Sequence, residues 1–202
     1  MNSFDKLVEK FGEFPGIGER QAKRFAYFLL SKNTSYLQEL ATLITTIKKD
    51  ITRCDMCLRF FSKQGSDLCS YCADALRDHT TLLVVSKDAD LIAIERSGLY
   101  HGYYVVLGGL IPILEKEPQN KIRANELLTV VEERSKKGLK EIIFALSATA
   151  EGEHTREFIE SLLSDYKTKG IICSELGRGL STGTELEYAD PETIKAALQN
   201  KK

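Results

Sequence analysis

Apolar residues fall along this chain in two rhythms. Over the first fifty residues the period is helical. Phe4, Leu7, Val8 and Phe11 recur at i, i+3, i+4 and i+7, which predicts one helix. The stretch "FPGIGE" then interrupts the pattern with a proline and two glycines. A second helix follows, with Ala22, Phe25, Ala26, Phe28 and Leu29 as its expected apolar stripe. A third is predicted over about 35–49, carrying Leu37, Leu40, Leu43, Ile44 and Ile47.

From residue 80 the rhythm changes to short apolar runs separated by helical stretches. "TTLLVV" (80–85), "YYVVLGG" (103–109), "EIIFAL" (141–146) and "IICSEL" (171–176) read as buried strands. Between them, 88–98, 123–138 and 155–170 read as helices that end on glycine. Strands alternating with helices predict a mostly parallel sheet covered on both faces. The tail is expected to hold a turn, a short extended piece and a last helix with Pro191 near its start.

Composition narrows the picture. Hydrophobic residues make up 43% of the chain, enough for a packed core, and charged residues 28%. No apolar run reaches the roughly eighteen residues of a membrane span. The start, "MNSFDKLVEKFGEF", lacks the apolar stretch of a secretory signal, so the expected compartment is the cytoplasm, where thiols stay reduced. The formal net charge of −1 is a poor basis for binding nucleic acid by bulk charge, so any such contact has to be local.

The densest basic cluster near the start is "ERQAKR" (19–24), directly after the glycine turn. Taken alone it is a solvated helix face. Beside the turn it gains a second reading. Gly16 and Gly18 permit positive φ and close backbone approach, and the turn leaves free N–H groups at the head of the second helix. Arg20, Lys23 and Arg24 lie in the first turns of that helix, within reach of the same phosphate backbone. Such contacts read charge and shape rather than base sequence. An ordinary helical hairpin turn is the alternative. No Gly-Lys-Ser/Thr follows the glycines, which excludes a P-loop.

Four of the five cysteines fall within one short segment, as Cys54-x2-Cys57 and Cys69-x2-Cys72. Two such knuckles suit a closed tetrahedral shell of four thiolates around one structural zinc, with no position left for water. A redox pair would need only one knuckle, at a strand-to-helix junction. Cys173, in the last predicted strand, reads as a small buried hydrophobe.

With these parts in order the chain resembles the RecR family of bacterial recombination-repair proteins. The resemblance runs through "FPGIGERQAKRFAYFLL", the four-cysteine segment, "AIERSGLYHGYYVVLGG", "AEGEHT" and "GRGLSTGTELEYAD". It implies an α/β, multi-module fold: a helix-hairpin-helix DNA-binding region over 1–52, a four-cysteine zinc finger over 53–78, a Toprim domain over 79–176, and a C-terminal segment with a Walker-B-like motif and helix over 177–202. The implied role is a ring-shaped clamp, a homo-tetramer or homo-dimer. It would bind single- and double-stranded DNA without sequence preference and act with RecO, and in many bacteria RecF, to load recombinase on single-stranded DNA. Cys54, Cys57, Cys69 and Cys72 are by resemblance the ligands of one zinc per chain. Arg20 and Arg24 sit at the family's DNA-contacting positions, and Glu151 and Glu153 form part of a surface that meets RecO. The finger is expected to fix the hairpin's orientation relative to the Toprim domain.

The sequence departs from the family at three places. Ser86 stands where a glutamate usually follows the first Toprim strand, "IPILEKEPQNK" (111–121) replaces the usual turns after the second, and "SATAEGE" follows the third. Catalytic Toprim domains need that glutamate as acid or base, and carboxylates converging on Mg²⁺. Asp88 and Asp90 open a helix, where acids serve as caps. The expected domain is therefore a non-catalytic scaffold. The rivals are a Mg²⁺-dependent Toprim nuclease or primase-like enzyme, a nucleotide switch in the tail, and a zinc-stapled interaction module that does not touch DNA.

Overall fold

The computed structural model describes residues 1–63, 65–177, 183, 187, 189 and 191–199. The chain forms two compact units, Met1–Ile51 and Thr52–Lys202.

The first unit is helical: α1 (Ser3–Gly12), α2 (Glu19–Leu30) and α3 (Thr34–Asp50). Asn2 and Asn33 cap α1 and α3 by accepting from the N–H of Asp5 and Tyr36, each at 2.9 Å. The apolar stripes exist but are not covered. Only Ala22 and Ala26 of this unit are buried, both on α2. Phe25 and Phe28, expected in the stripe of α2, are 40% and 47% exposed. Three helices of 10, 12 and 17 residues are too few to wrap one another's apolar faces. A cavity of about 410 Å³ is left between them, walled by Phe4, Leu7, Leu30, Leu37, Leu40 and Ile44 among others.

A two-stranded sheet follows α3, with β1 (Ile51–Arg53) starting at the last residue of the first unit and β2 (Phe60–Ser62) in the second, and then a single helical turn, α4 (Ser70–Ala73). A four-stranded sheet follows, in spatial order β4-β3-β5-β6, with every neighbouring pair parallel. Its strands are β3 (Asp78–Val85), β4 (Gly102–Val106), β5 (Glu141–Ala145) and β6 (Ile172–Glu175). The crossovers are α5 (Asp88–Ser97), α6 (Ala124–Ser135), and α7 (Ala150–Leu162) with α8 (Ser164–Thr168). A last helix, α9, spans Pro191–Gln199. The turn and extended piece expected within 177–190 lie largely outside the described residues.

Alternation along the strands builds two cores. Leu82, Val84, Tyr103, Val105, Ile142 and Phe144 face α6 and α7. Leu83, Val85, Tyr104 and Val106 face Leu91 of α5 and, with it, Cys54, Cys57 and Cys69. The cysteine segment is thus a wall of the second core, packed on the sheet beside α5.

One helix differs from its expected bounds. The helix read over 155–170 starts at Ala150 and breaks at the buried Leu163 into α7 and α8. Thr149 sets the start, its Oγ1 accepting from the N–H of Gly152 at 3.2 Å. Gly152 is required there, because a Cβ would lie 1.9 Å from the carbonyl oxygen of Ser147.

Candidate nucleic-acid interface and metal centre

The turn between α1 and α2 is built from one left-handed glycine. Gly16 has φ +75°, and Ile17 donates its N–H to the carbonyl of Phe14 at 3.0 Å. Gly18 differs from expectation: it is the N-cap of α2 at φ −83°, a geometry open to any residue. It offers no side-chain cap, so the N–H groups of Glu19, Arg20 and Gln21 at the head of α2 have no acceptor among the described residues. Lys23 is tied back to Glu19 at 2.6 Å, and that carboxylate holds it above its ordinary pKa. Arg24 donates to the amide oxygen of Gln21 at 3.2 Å. The side chain of Arg20 has no hydrogen bond or ion pair among the described residues. The hairpin therefore presents open amides and exposed guanidinium groups side by side, an arrangement suited to phosphate oxygens.

The four cysteine thiols converge. All four Sγ atoms lie within 4.8 Å of one another, and those of Cys57 and Cys69 are 3.5 Å apart. Tetrahedral zinc with bonds of roughly 2.3 Å needs spacings of this size. Cys54, Cys57 and Cys69 are buried, Cys72 partly so. The backbone N–H of Cys69 donates to Cys54 Sγ at 3.4 Å, the kind of bond that stabilises a thiolate. Hydrogen bonds with Cys57, Cys69 and Cys72 draw the Cys54 thiol well below its ordinary pKa, and the bond with Cys54 leads in pushing Cys57 up. The set can hold one metal ion. Cys173 lies outside it, half-buried against the other core, and burial raises its pKa.

Three bonds that the sequence did not signal fasten this centre to β4, to the head of α6 and to α5. The carbonyl of Cys57 accepts from the N–H of Val106 at 2.8 Å, on the free edge of β4. The carbonyl of Leu58 accepts from Arg123 Nη1 at 2.5 Å, and the same guanidinium reaches the carbonyl of Val106 at 3.2 Å. The N–H of Phe60 donates to Asp88 Oδ1 at 2.8 Å. Leu58 carries φ +63°, yet its side chain is buried in the first core. Burying a leucine is worth about 1.5–3 kcal/mol, which offsets the roughly 1–2 kcal/mol of left-handed geometry.

The acidic residues are dispersed. Ser86 and Asp90 bond to each other at 2.6 Å, and Asp90 also caps α5 by accepting from the N–H of Lys87 at 2.9 Å. Glu151 and Glu153 sit in the first turn of α7 rather than in a loop before it, where the helix dipole favours them. Glu153 pairs with Arg156 at 3.3 Å, and Arg156 also holds Glu160 and Glu175 at 2.7 and 2.6 Å. Among the described residues the four cysteines are the one group of three or more metal-type ligands, and neither glutamate belongs to such a group. The altered loop at 111–121 is anchored by Ile111, whose N–H donates to Thr155 Oγ1 at 2.8 Å, and by Glu115 with Lys121 at 3.1 Å.

Comparison with known proteins decides the family. The RecR helix-hairpin-helix model matches residues 4–48, a Toprim domain model 80–175 and the RecR C-terminal model 179–202. The chain is 34% identical to the recombination protein RecR of Chlorobium chlorochromatii, covering 98% of this chain and 96% of that one. It is 35% identical to RecR of Dehalococcoides mccartyi, over 98% and 92% of the two chains. With RecR of Streptococcus pneumoniae the identity is 35%, over 97% and 94%. The chain belongs to the RecR family. It shares that family's helix-hairpin-helix and Toprim domains, and its four-cysteine centre lies between the two matched stretches. No described helix is long and apolar enough to cross a membrane.

Proposed function

We propose that this RecR-family chain is a non-catalytic DNA clamp in recombinational repair. It would bind single- and double-stranded DNA without sequence preference and act with RecO, and with RecF where present, to help load recombinase. Its modules would be a hairpin over 1–52, a zinc finger over 53–78, a Toprim scaffold over 79–176 and a tail over 177–202, in the cytoplasm. The observation that carries the reading is the hairpin: open amides after Gly16, with Arg20 and Arg24 beside them. Gly16, Gly18, Arg20, Lys23 and Arg24 take the phosphate, with Lys23 limited by its pairing to Glu19.

The uncovered apolar groove of the helical unit supports a homo-dimer or homo-tetramer, in which a second copy covers what one chain leaves open. Copies around a hole also answer the charge problem, because a few basic residues per subunit add up through effective concentration. Cys54, Cys57, Cys69 and Cys72 hold one structural zinc, whose closed shell contributes folding free energy rather than chemistry. Ser86 supports a scaffold rather than an enzyme, because a serine bound to Asp90 cannot replace a general acid or base. Glu151 and Glu153 offer RecO an acidic helix terminus.

The test is DNA affinity as a function of salt. Wild-type protein should weaken steeply as salt rises. Arg20→Ala with Arg24→Ala should lower affinity and flatten the slope by about two phosphate contacts per subunit. An unchanged affinity and slope would remove the hairpin from the interface. Magnesium-dependent cleavage abolished by Glu151→Gln would instead establish the enzyme.

A further inference from the structure

Phe25 and Phe28 lie outside the core that the pattern assigned them to, and what they border is the DNA-binding turn. A cavity of about 490 Å³ is lined by Gly16, Ile17, Gln21, Arg24, Phe25 and Phe28. Its size falls within the range of roughly 300–1,000 Å³ typical of small-ligand sites. The lining combines two exposed aromatic rings with a guanidinium, a side-chain amide and turn backbone, the chemistry that recognises a flat heterocycle with polar edges. The rings are fixed in place. Phe25 packs edge-on against Phe11 with centroids 5.8 Å apart, and Phe28 edge-on against Tyr36 at 6.1 Å. Lys32 Nζ lies 4.3 Å from the Phe28 ring centroid, a further cation beside the site.

We infer that this cavity accepts an unstacked base of single-stranded DNA whose phosphate rests on the adjacent turn. The inference rests on the phosphate role proposed above for the hairpin. Gly16 and Ile17 belong both to the turn and to the cavity wall, so the phosphate and base sites adjoin. Bases of a duplex face their partners and cannot enter. A single strand can turn a base outward, and stacking on an aromatic side chain is worth about 1–3 kcal/mol per base. The positive charge of Arg24 in the cavity wall, and of Lys32 against the Phe28 ring, complements the strand. The cavity therefore adds a preference for single strands to a site that otherwise reads only phosphates.

The test uses the full chain and three oligonucleotides of equal length: a single strand, its duplex, and a single strand with abasic sugars throughout. Wild-type protein should bind the intact single strand about tenfold tighter than the abasic one. Phe28→Ala should close most of that gap, and Phe28→Leu, which keeps apolar volume without a π face, should do the same. A 2-aminopurine in the strand should be quenched by wild-type protein and not by Phe28→Ala. Equal affinity of wild-type protein for intact and abasic strands overturns the inference while leaving the phosphate reading standing. So does a fall in oligomer mass on Phe28→Ala without change in the intact-to-abasic ratio, which would assign the cavity to a subunit contact. Absence of binding to all three oligonucleotides overturns the cavity and the hairpin reading together.

Discussion

Gly152 and Gly16 are glycines for different reasons, and substitution separates them. At Gly152 the obstacle is space, since an added Cβ meets the Ser147 carbonyl at 1.9 Å. Gly152→Ala should displace the head of α7 and destabilise the protein by more than about 2 kcal/mol, read as a denaturation midpoint. At Gly16 the space is open and the cost is conformational. Gly16→Ala should cost about 1–2 kcal/mol, whereas Gly18→Ala, at φ −83°, should change stability little. Leu58→Ala should cost about 2–5 kcal/mol, because it gives up the buried side chain and keeps the left-handed backbone. At this scale the sequence is legible where chemistry repeats and silent where geometry decides. The spacing of Cys54, Cys57, Cys69 and Cys72 by itself signals their convergence. Nothing in "CDMCLRFF" marks Leu58 as a residue of the other core. Phe25 and Phe28 fit the helical period of α2, yet period alone does not say whether a facing element exists to cover them.

Among the elements, the attachment of the cysteine segment to β4, α5 and α6 carries the largest consequence. Cys57, Leu58 and Phe60 each bond to the α/β unit, through Val106, Arg123 and Asp88. Burial lowers the pKa of Arg123, so its charge is held at a cost that the two carbonyls offset. Arg123→Ala should therefore lose about 2–3 kcal/mol of stability, measured by chemical denaturation. Gly108 next to it leaves room for the guanidinium, since a Cβ there would lie 3.0 Å from Arg123 Nε. Removing the metal with a chelator, or replacing Cys54 with serine, should speed amide exchange at Val106, whose N–H is held by the carbonyl of Cys57. Protection at Val106 that persists without metal would mean the finger holds its shape unaided. The parallel strands are legible because a strand buried on both faces reads as an apolar run, as "TLLVV" does. The start of α7 is not, because "AEGEH" carries too little apolar surface to begin the period and its boundary rests on Thr149 and the closeness of Ser147.

For the molecule as a whole, two facts pull in one direction. The chain has a net charge of −1, and its helical unit buries only two alanines while leaving Leu30 at 70% and Ile44 at 64% exposed. In the proposed clamp several copies answer both, each adding its few basic residues to a shared lining and covering a neighbour's apolar groove. The ground for the proposed association is only half displayed in the sequence: the stripes of α1 and α3 are plain in the pattern, but their lack of cover shows only in three dimensions. Leu30→Glu with Ile44→Glu should place charge in the groove, shift the protein to smaller assemblies and weaken DNA binding with Arg20 and Arg24 intact. The most direct test of the clamp is molecular mass in solution by analytical ultracentrifugation, with and without DNA, across a range of protein concentration. A clamp requires a dimer or tetramer that persists on DNA, and that is the expected result. A monomer at every concentration, free and bound, would contradict it.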